Sequence, residues 1–317
     1  MKYNLYIIFG LFFFSLLSCK KNETDVGVTQ VYSNDNFDLN GICALDAQHI
    51  YACGGVRWSK GIILSLGSNN QWHDTVIIDK AIWDIKYKDG FLRACGIDSK
   101  VYSSADSGKS WTTYQGWIWR PLYGLGIFED GKVISVGGSS YAHGILYSSY
   151  GTGTGIQFAM DTIPNEIRDI SVTGSQSAVV VGYGLVMYTN NGGHQWNYAD
   201  VEGDFFMGVH FANNSNGMAV GYQGTIIKTN DGGITWKKMR NGNNVFNRKW
   251  NLNDIFCIND SEAIAVGDDG LIVKTSNAGK DWQYIECPSN QDLRDIIMIE
   301  NTIYIVGTKG TILQWKF

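Results

Sequence analysis

Apolar positions along the chain fall in short runs rich in Val, Ile and Ala, broken by polar turns, and no sustained helical period appears. Residues 208–239, GVHFANNSNGMAVGYQGTIIKTNDGGITWKKM, show the plan: strand, Asn-rich turn, strand, GYQG turn, strand, polar box, strand. Seven such units follow one another. Each carries an anchoring glycine, at Gly54, Gly96, Gly137, Gly182, Gly221, Gly267 and Gly307, spaced by 42, 41, 45, 39, 46 and 40 residues. A period near 40 with four strands per unit predicts an all-β, seven-bladed β-propeller of four-stranded antiparallel blades.

The polar box recurs as SADSGKSW from Ser104, TNNGGHQW from Thr189, TNDGGITW from Thr229 and TSNAGKDW from Thr275. Its hydroxyl and its Asp or Asn can accept backbone N–H groups in a tight hairpin, and its Trp can fill the space between blades. The box residues therefore read as structural: Ser104, Asp106, Gly108 and Trp111; Thr189, Asn191, Gly193 and Trp196; Thr229, Asp231, Gly233 and Trp236; Thr275, Asn277, Gly279 and Trp282. Worn copies stand at SLGSNNQW from Ser65 and around 148–158. Unit seven ends after its third strand, so the segment Val26 to Ser33 is expected to pair with Leu313 to Phe317, supply the missing outer strand and close the ring.

The pattern G-x-x-G-x-I-x-x-T-N-D-G-G-x-T-W, read in GYQGTIIKTNDGGITW, resembles the Asp-box (BNR) repeat, and with the upstream Leu-x-Asp-Ile motif it is most similar to the photosystem II stability and assembly factor family. The resemblance runs from about residue 38 to 317 and implies a propeller scaffold that holds a client protein without catalysis. Asp-box propellers also include sialidases and xyloglucan hydrolases, so fold alone does not decide activity.

Departures from the repeat are better guides to function than the repeat itself. The turns GGVRWSKG (54–61) and GGSSYAHG (137–144) are longer than their counterparts, and the segments leading into blades three and six, GWIWRPLY and NGNNVFNRKW, are irregular. These fall on the face opposite the boxes. They supply Arg57, Trp58, Trp117, Trp119, Arg120, Tyr141, His143, Arg248 and Trp250, a composition suited to a binding surface for a protein or glycan. Asp84, Asp169, Asp254 and Asp295 share one repeat slot with Gly41, Gly124 and Gly208, which marks a structural role. The residue before the slot varies (Asn40, Trp83, Tyr123, Arg168, Met207, Asn253, Arg294) and is expected to ring one mouth of the central channel. Arg168 and Arg294 join the candidate face on that ground.

The chain starts with Lys2 and an apolar run from Leu5 to Leu17, too short to span a bilayer and right for a signal peptide over residues 1–18. Leu16-Leu17-Ser18-Cys19 resembles a lipobox, making Cys19 the lipidation site, residues 19–25 a solvated tether and residues 26–317 the propeller. No Asp follows Cys19, so the outer membrane is the expected location, facing the periplasm or the surface. The mature chain of about 300 residues can bury one large core. A formal charge of −5 argues against nucleic acid. The other cysteines, at 43, 53, 95, 257 and 287, lack metal or disulfide spacing and read as buried apolar residues. No metal site or cofactor is expected, and a monomer is. An Asp-box glycoside hydrolase of the sialidase or xyloglucanase kind is the alternative; for a two-carboxylate mechanism, Asp268 and Asp269 are the nonrepeating acids on the candidate face.

Overall fold

A computed structural model describes residues 27–149, 156–201, 205–242 and 250–317. Among them are seven four-stranded antiparallel sheets arranged as a propeller. The inner strands of blades 1 to 7 are Asp38–Asp46, Ile82–Lys88, Leu122–Ile127, Ile167–Val172, Phe206–Phe211, Leu252–Cys257 and Leu293–Ile299. Blades 1 to 6 run inward to outward in chain order. The seventh sheet takes its outer strand from Thr29–Tyr32, antiparallel to Ile312–Lys316, with Thr29 opposite Gln314 and Tyr32 opposite Ile312.

The anchoring glycines have a steric cause. A Cβ on any of the seven would sit 1.9–2.4 Å from a backbone carbonyl oxygen at or just before the start of its own blade's inner strand, as Gly221 would from Phe205 O at 2.0 Å. Beyond the glycine, the short turns of blades 5 and 6 put two consecutive residues at positive φ, Gln223 with Gly224 and Asp269 with Gly270. That is the twist a two-residue hairpin turn requires.

Each box closes on itself. Thr229 Oγ1 accepts the Gly233 N–H at 3.1 Å and donates to Asp231 Oδ1 at 2.8 Å, while Asp231 accepts the Thr235 N–H at 2.9 Å and Trp236 Nε1 donates to Gly233 O at 2.9 Å. The Ser104, Asp106, Gly108 and Trp111 set repeats this pattern. In the Thr189 and Thr275 boxes, Asn191 and Asn277 accept the same backbone N–H in place of the aspartate. The Asp106 pKa falls to about 2 because Ser110 donates to it through hydroxyl and backbone.

The box tryptophans lie between blades, as their size suggests. Trp111 packs on the cluster joining blades 1 and 2, Trp196 on that of blades 3 and 4, Trp236 on that of blades 4 and 5, and Trp282 on that of blades 5 and 6. Cys43, Cys53, Cys95 and Cys257 are buried free thiols in the strands. Cys287 departs from this: it is half-buried and lies outside the strands.

Candidate interaction site at the channel mouth

The inner strands surround a central cavity of about 750 Å³. Its wall is built by the Asp or Gly slot. Asp84 Oδ1 accepts the Ile85 N–H at 2.7 Å, and Oδ2 reaches across to the Leu125 N–H of blade 3 at 2.8 Å. Asp169 does the same for Ile170 and for Val209 of blade 5, at 2.7 and 2.8 Å. Asp295 joins blade 7 to blade 1 through the Ile42 N–H at 2.7 Å. The intervening glycines make room: a Cβ on Gly41, Gly124 or Gly208 would stand 3.0, 3.2 or 2.8 Å from the Cα of the aspartate in the next blade.

Aspartate and glycine thus alternate, and seven is odd. At one seam two aspartates meet, and the Ile296 N–H is shared by Asp254 Oδ2 at 3.1 Å and Asp295 Oδ1 at 2.8 Å. Burial, then the neighbouring Asp295, pushes the Asp254 carboxyl well above the ordinary range. Burial also raises Asp169 to about 7. Lys86 stands in this acidic ring, 2.9 Å from Asp84. Desolvation opposes its charge, but Asp84, Asp295 and Asp169 outweigh that and hold its pKa above the lysine value. His210 is driven down to about 4 by burial, and its Nδ1 accepts the Cys257 N–H at 3.0 Å.

All seven residues of the variable ring line this cavity. Trp83 and Tyr123 meet edge to face with centroids 5.4 Å apart, and the Arg168 guanidinium lies 4.2 Å from the Tyr123 centroid and 5.2 Å from that of Phe205. A carboxylate holds it there: Glu166 Oε1 is 2.8 Å from Arg168 Nη2. Arg168 Nε and Trp83 Nε1 are buried donors with no hydrogen-bond acceptor among the described residues. Arg294 is tied at the opposite side of the mouth, to Asp38 at 3.0 Å and to Asn40.

Outward from the ring, Phe205 is the hub of an aromatic arc. Tyr141, Tyr183 and Tyr222 surround it with centroids 5.6, 5.2 and 4.7 Å away, and the three tyrosines are 55%, 45% and 38% exposed. Trp58, Trp117 and Trp119 are exposed as well, Trp119 by 71%. Arg57 lies 5.2 Å from the Trp58 centroid, Trp117 abuts Tyr147, and the half-buried Arg120 reaches Gly144 O at 3.4 Å. His143 is exposed at the start of its strand. Trp250 is half-buried between Arg240, at 4.2 Å, and Tyr284. Arg248 lies outside the described residues, as does Cys19.

The structure thus gathers Arg168, Tyr141 and Trp83 with three aromatics that sequence reasoning did not single out: Phe205, Tyr183 and Tyr222. Two of them had a signal, since a Tyr directly follows the anchoring glycine in units four and five. Phe205 and Glu166 had none. Asp268 accepts hydrogen bonds from Asn251 and Asn253 at 2.8 and 2.9 Å, and Asp269 occupies a left-handed turn position. Among the described residues, no group of His, Cys, Asp and Glu is placed to hold a metal ion.

Residues 194–293 match the sequence profile of the family described as photosynthesis system II assembly factor YCF48. That span covers blades 5 and 6, with the Thr229 and Thr275 boxes. Comparison with curated protein sequences gives no match. Among solved structures, YCF48 bound to D1 peptide superposes with a TM-score of 0.70 at 13% identity, covering 92% of this chain and 94% of that one. YCF48 from Cyanidioschyzon merolae gives 0.69 at 12% identity, over 91% and 98%. The WD40 repeats of RRP9 give 0.72 at 8% identity, over 92% and 97%. At these identities the likeness is one of fold, and propellers of unrelated role share it.

Proposed function

We propose that the chain is a lipid-anchored, non-catalytic scaffold that captures a segment of a protein partner at the aromatic, arginine-bearing mouth of its channel. The observation that carries this reading is the exposed arc around Phe205, continuous with the Arg168, Tyr123 and Trp83 stack. Tyr, Trp and Arg held rigidly by one another lose little entropy on contact and contribute most to interfaces. A protein of the same fold has been solved with a peptide bound, which favours a peptide over a glycan.

A hydrolase would need two free carboxyls facing a sugar. Here Asp84, Asp169 and Asp295 are engaged with backbone N–H groups and Asp268 with two carboxamides, which supports binding over hydrolysis. The Leu16 to Cys19 lipobox, without an Asp after the cysteine, supports an outer-membrane anchor. The test is affinity capture with the protein and with a Trp119→Ala, Arg120→Ala variant. A partner retained by the first and lost from the second is expected; a partner held equally by both, or turnover of fluorogenic glycosides that persists through repurification, would overturn the reading.

A further inference from the structure

The two ends of the outer strand of blade 7 mark opposite faces of the ring. Just after Thr29–Tyr32, the Asn34 N–H donates to Lys309 O at 2.9 Å, in a turn at the channel mouth. At the other end of the partner strand Ile312–Lys316, the Phe317 N–H donates to Asn301 O at 2.8 Å, in a turn on the box face. With Thr29 opposite Gln314 and Tyr32 opposite Ile312, the chain before Thr29 leads towards the box face.

Resting on the lipid-anchor reading above, we infer that the anchored propeller turns its box face to the bilayer and its mouth to the aqueous phase. Residues 20–28 separate Cys19 from Thr29. If the stretch is the solvated tether that its sequence suggests, its nine residues have a typical end-to-end distance of about 15–18 Å. The six-residue inner strand Phe206–Phe211 alone spans about 20 Å at roughly 3.3 Å per residue. Placing the mouth against the lipid would keep the tether stretched along the whole outer wall. The box face needs no such extension.

Three basic groups of the mouth are paired within the face: Arg168 with Glu166, Arg294 with Asp38 and Lys80 with Asp98. The kind of partner follows. The mouth stands at least about one strand length, roughly 20 Å, above the headgroups. It therefore meets a soluble domain, or a tail of more than about six extended residues from a membrane protein. A membrane-embedded surface in the same leaflet is out of reach.

The experiment uses the purified lipidated protein in vesicles carrying an acceptor dye on the headgroups. A donor dye is attached through p-azidophenylalanine replacing either Lys280, on a box turn, or Trp119, at the mouth. Severalfold greater energy transfer from position 280 than from 119 is expected; equal or reversed transfer overturns the orientation. Detergent phase partition separates the two ways of failing. If the wild type stays in the aqueous phase as Cys19→Ala does, the anchor fails and the orientation with it. If only Cys19→Ala stays there and the transfers are equal, the orientation alone fails.

Discussion

A box side chain can be tested for what it holds. Thr229 is 2% exposed, and its hydroxyl accepts the Gly233 N–H and donates to Asp231. Thr229→Val keeps the shape and strands the buried N–H, at an expected cost of about 1–3 kcal/mol. Thermal unfolding measures this, and partner capture is expected to stay intact. Trp119 is the converse. It is largely exposed, so Trp119→Ala is expected to shift stability by no more than about 0.5 kcal/mol while weakening capture. An equal loss of stability from both variants would contradict the division between carpentry and contact.

Among the elements, the outer strand of blade 7 has the longest reach in sequence. Thr29–Tyr32 covers the edge of Ile312–Lys316, and Val28 packs against the cluster joining blades 6 and 7. Deleting residues 26–33 is expected to remove about 3–5 kcal/mol, or roughly 10 °C of melting temperature at about 2–4 °C per kcal/mol. Unchanged melting would show the strand to be dispensable.

Strands, turns and boxes were legible in the sequence because each recurs, so the Gly221 spacing and the Thr229 hydroxyl stand out seven-fold or four-fold. The mouth was legible only in part. Trp58 and Tyr141 stand in turns that break the period and Trp119 in an irregular lead-in, but the Phe205 hub comes from a lead-in segment without such a signal, and its neighbours Tyr141, Tyr183 and Tyr222 come from three blades. Trp250 and Arg294 looked like free contacts in sequence. In three dimensions the one is wedged by Arg240 and the other bound by Asp38, because residues distant in the chain close on them.

At the scale of the whole ring, the buried aspartates of the inner strands set a pH dependence. Asp169 and Asp254 have folded pKa values raised by burial, above the unfolded value of about 3.9. The folded state therefore binds more protons. The stability these groups contribute is complete below about pH 4 and is lost as pH rises through the folded values, near 7 for Asp169. His210 acts oppositely: with its folded value lowered to about 4, its contribution is present above about pH 6.5 and lost as pH falls towards 4. The two trends offset each other in mildly acid solution. Asp254→Asn removes the raised carboxyl at the seam, so the melting temperature is expected to decline less with rising pH than in the wild type. An identical decline in both would show that the seam carboxyl does not contribute to the pH dependence.

The central claim is that recognition occurs at the mouth and that the boxes only build the ring. Photo-cross-linking in intact cells tests it most directly, with p-benzoylphenylalanine in place of Tyr183 at the mouth or of the comparably exposed Ile234 on a box turn. A discrete cross-linked protein from position 183 and none from position 234 is predicted; the same adduct from 234 alone, or from both, would contradict it.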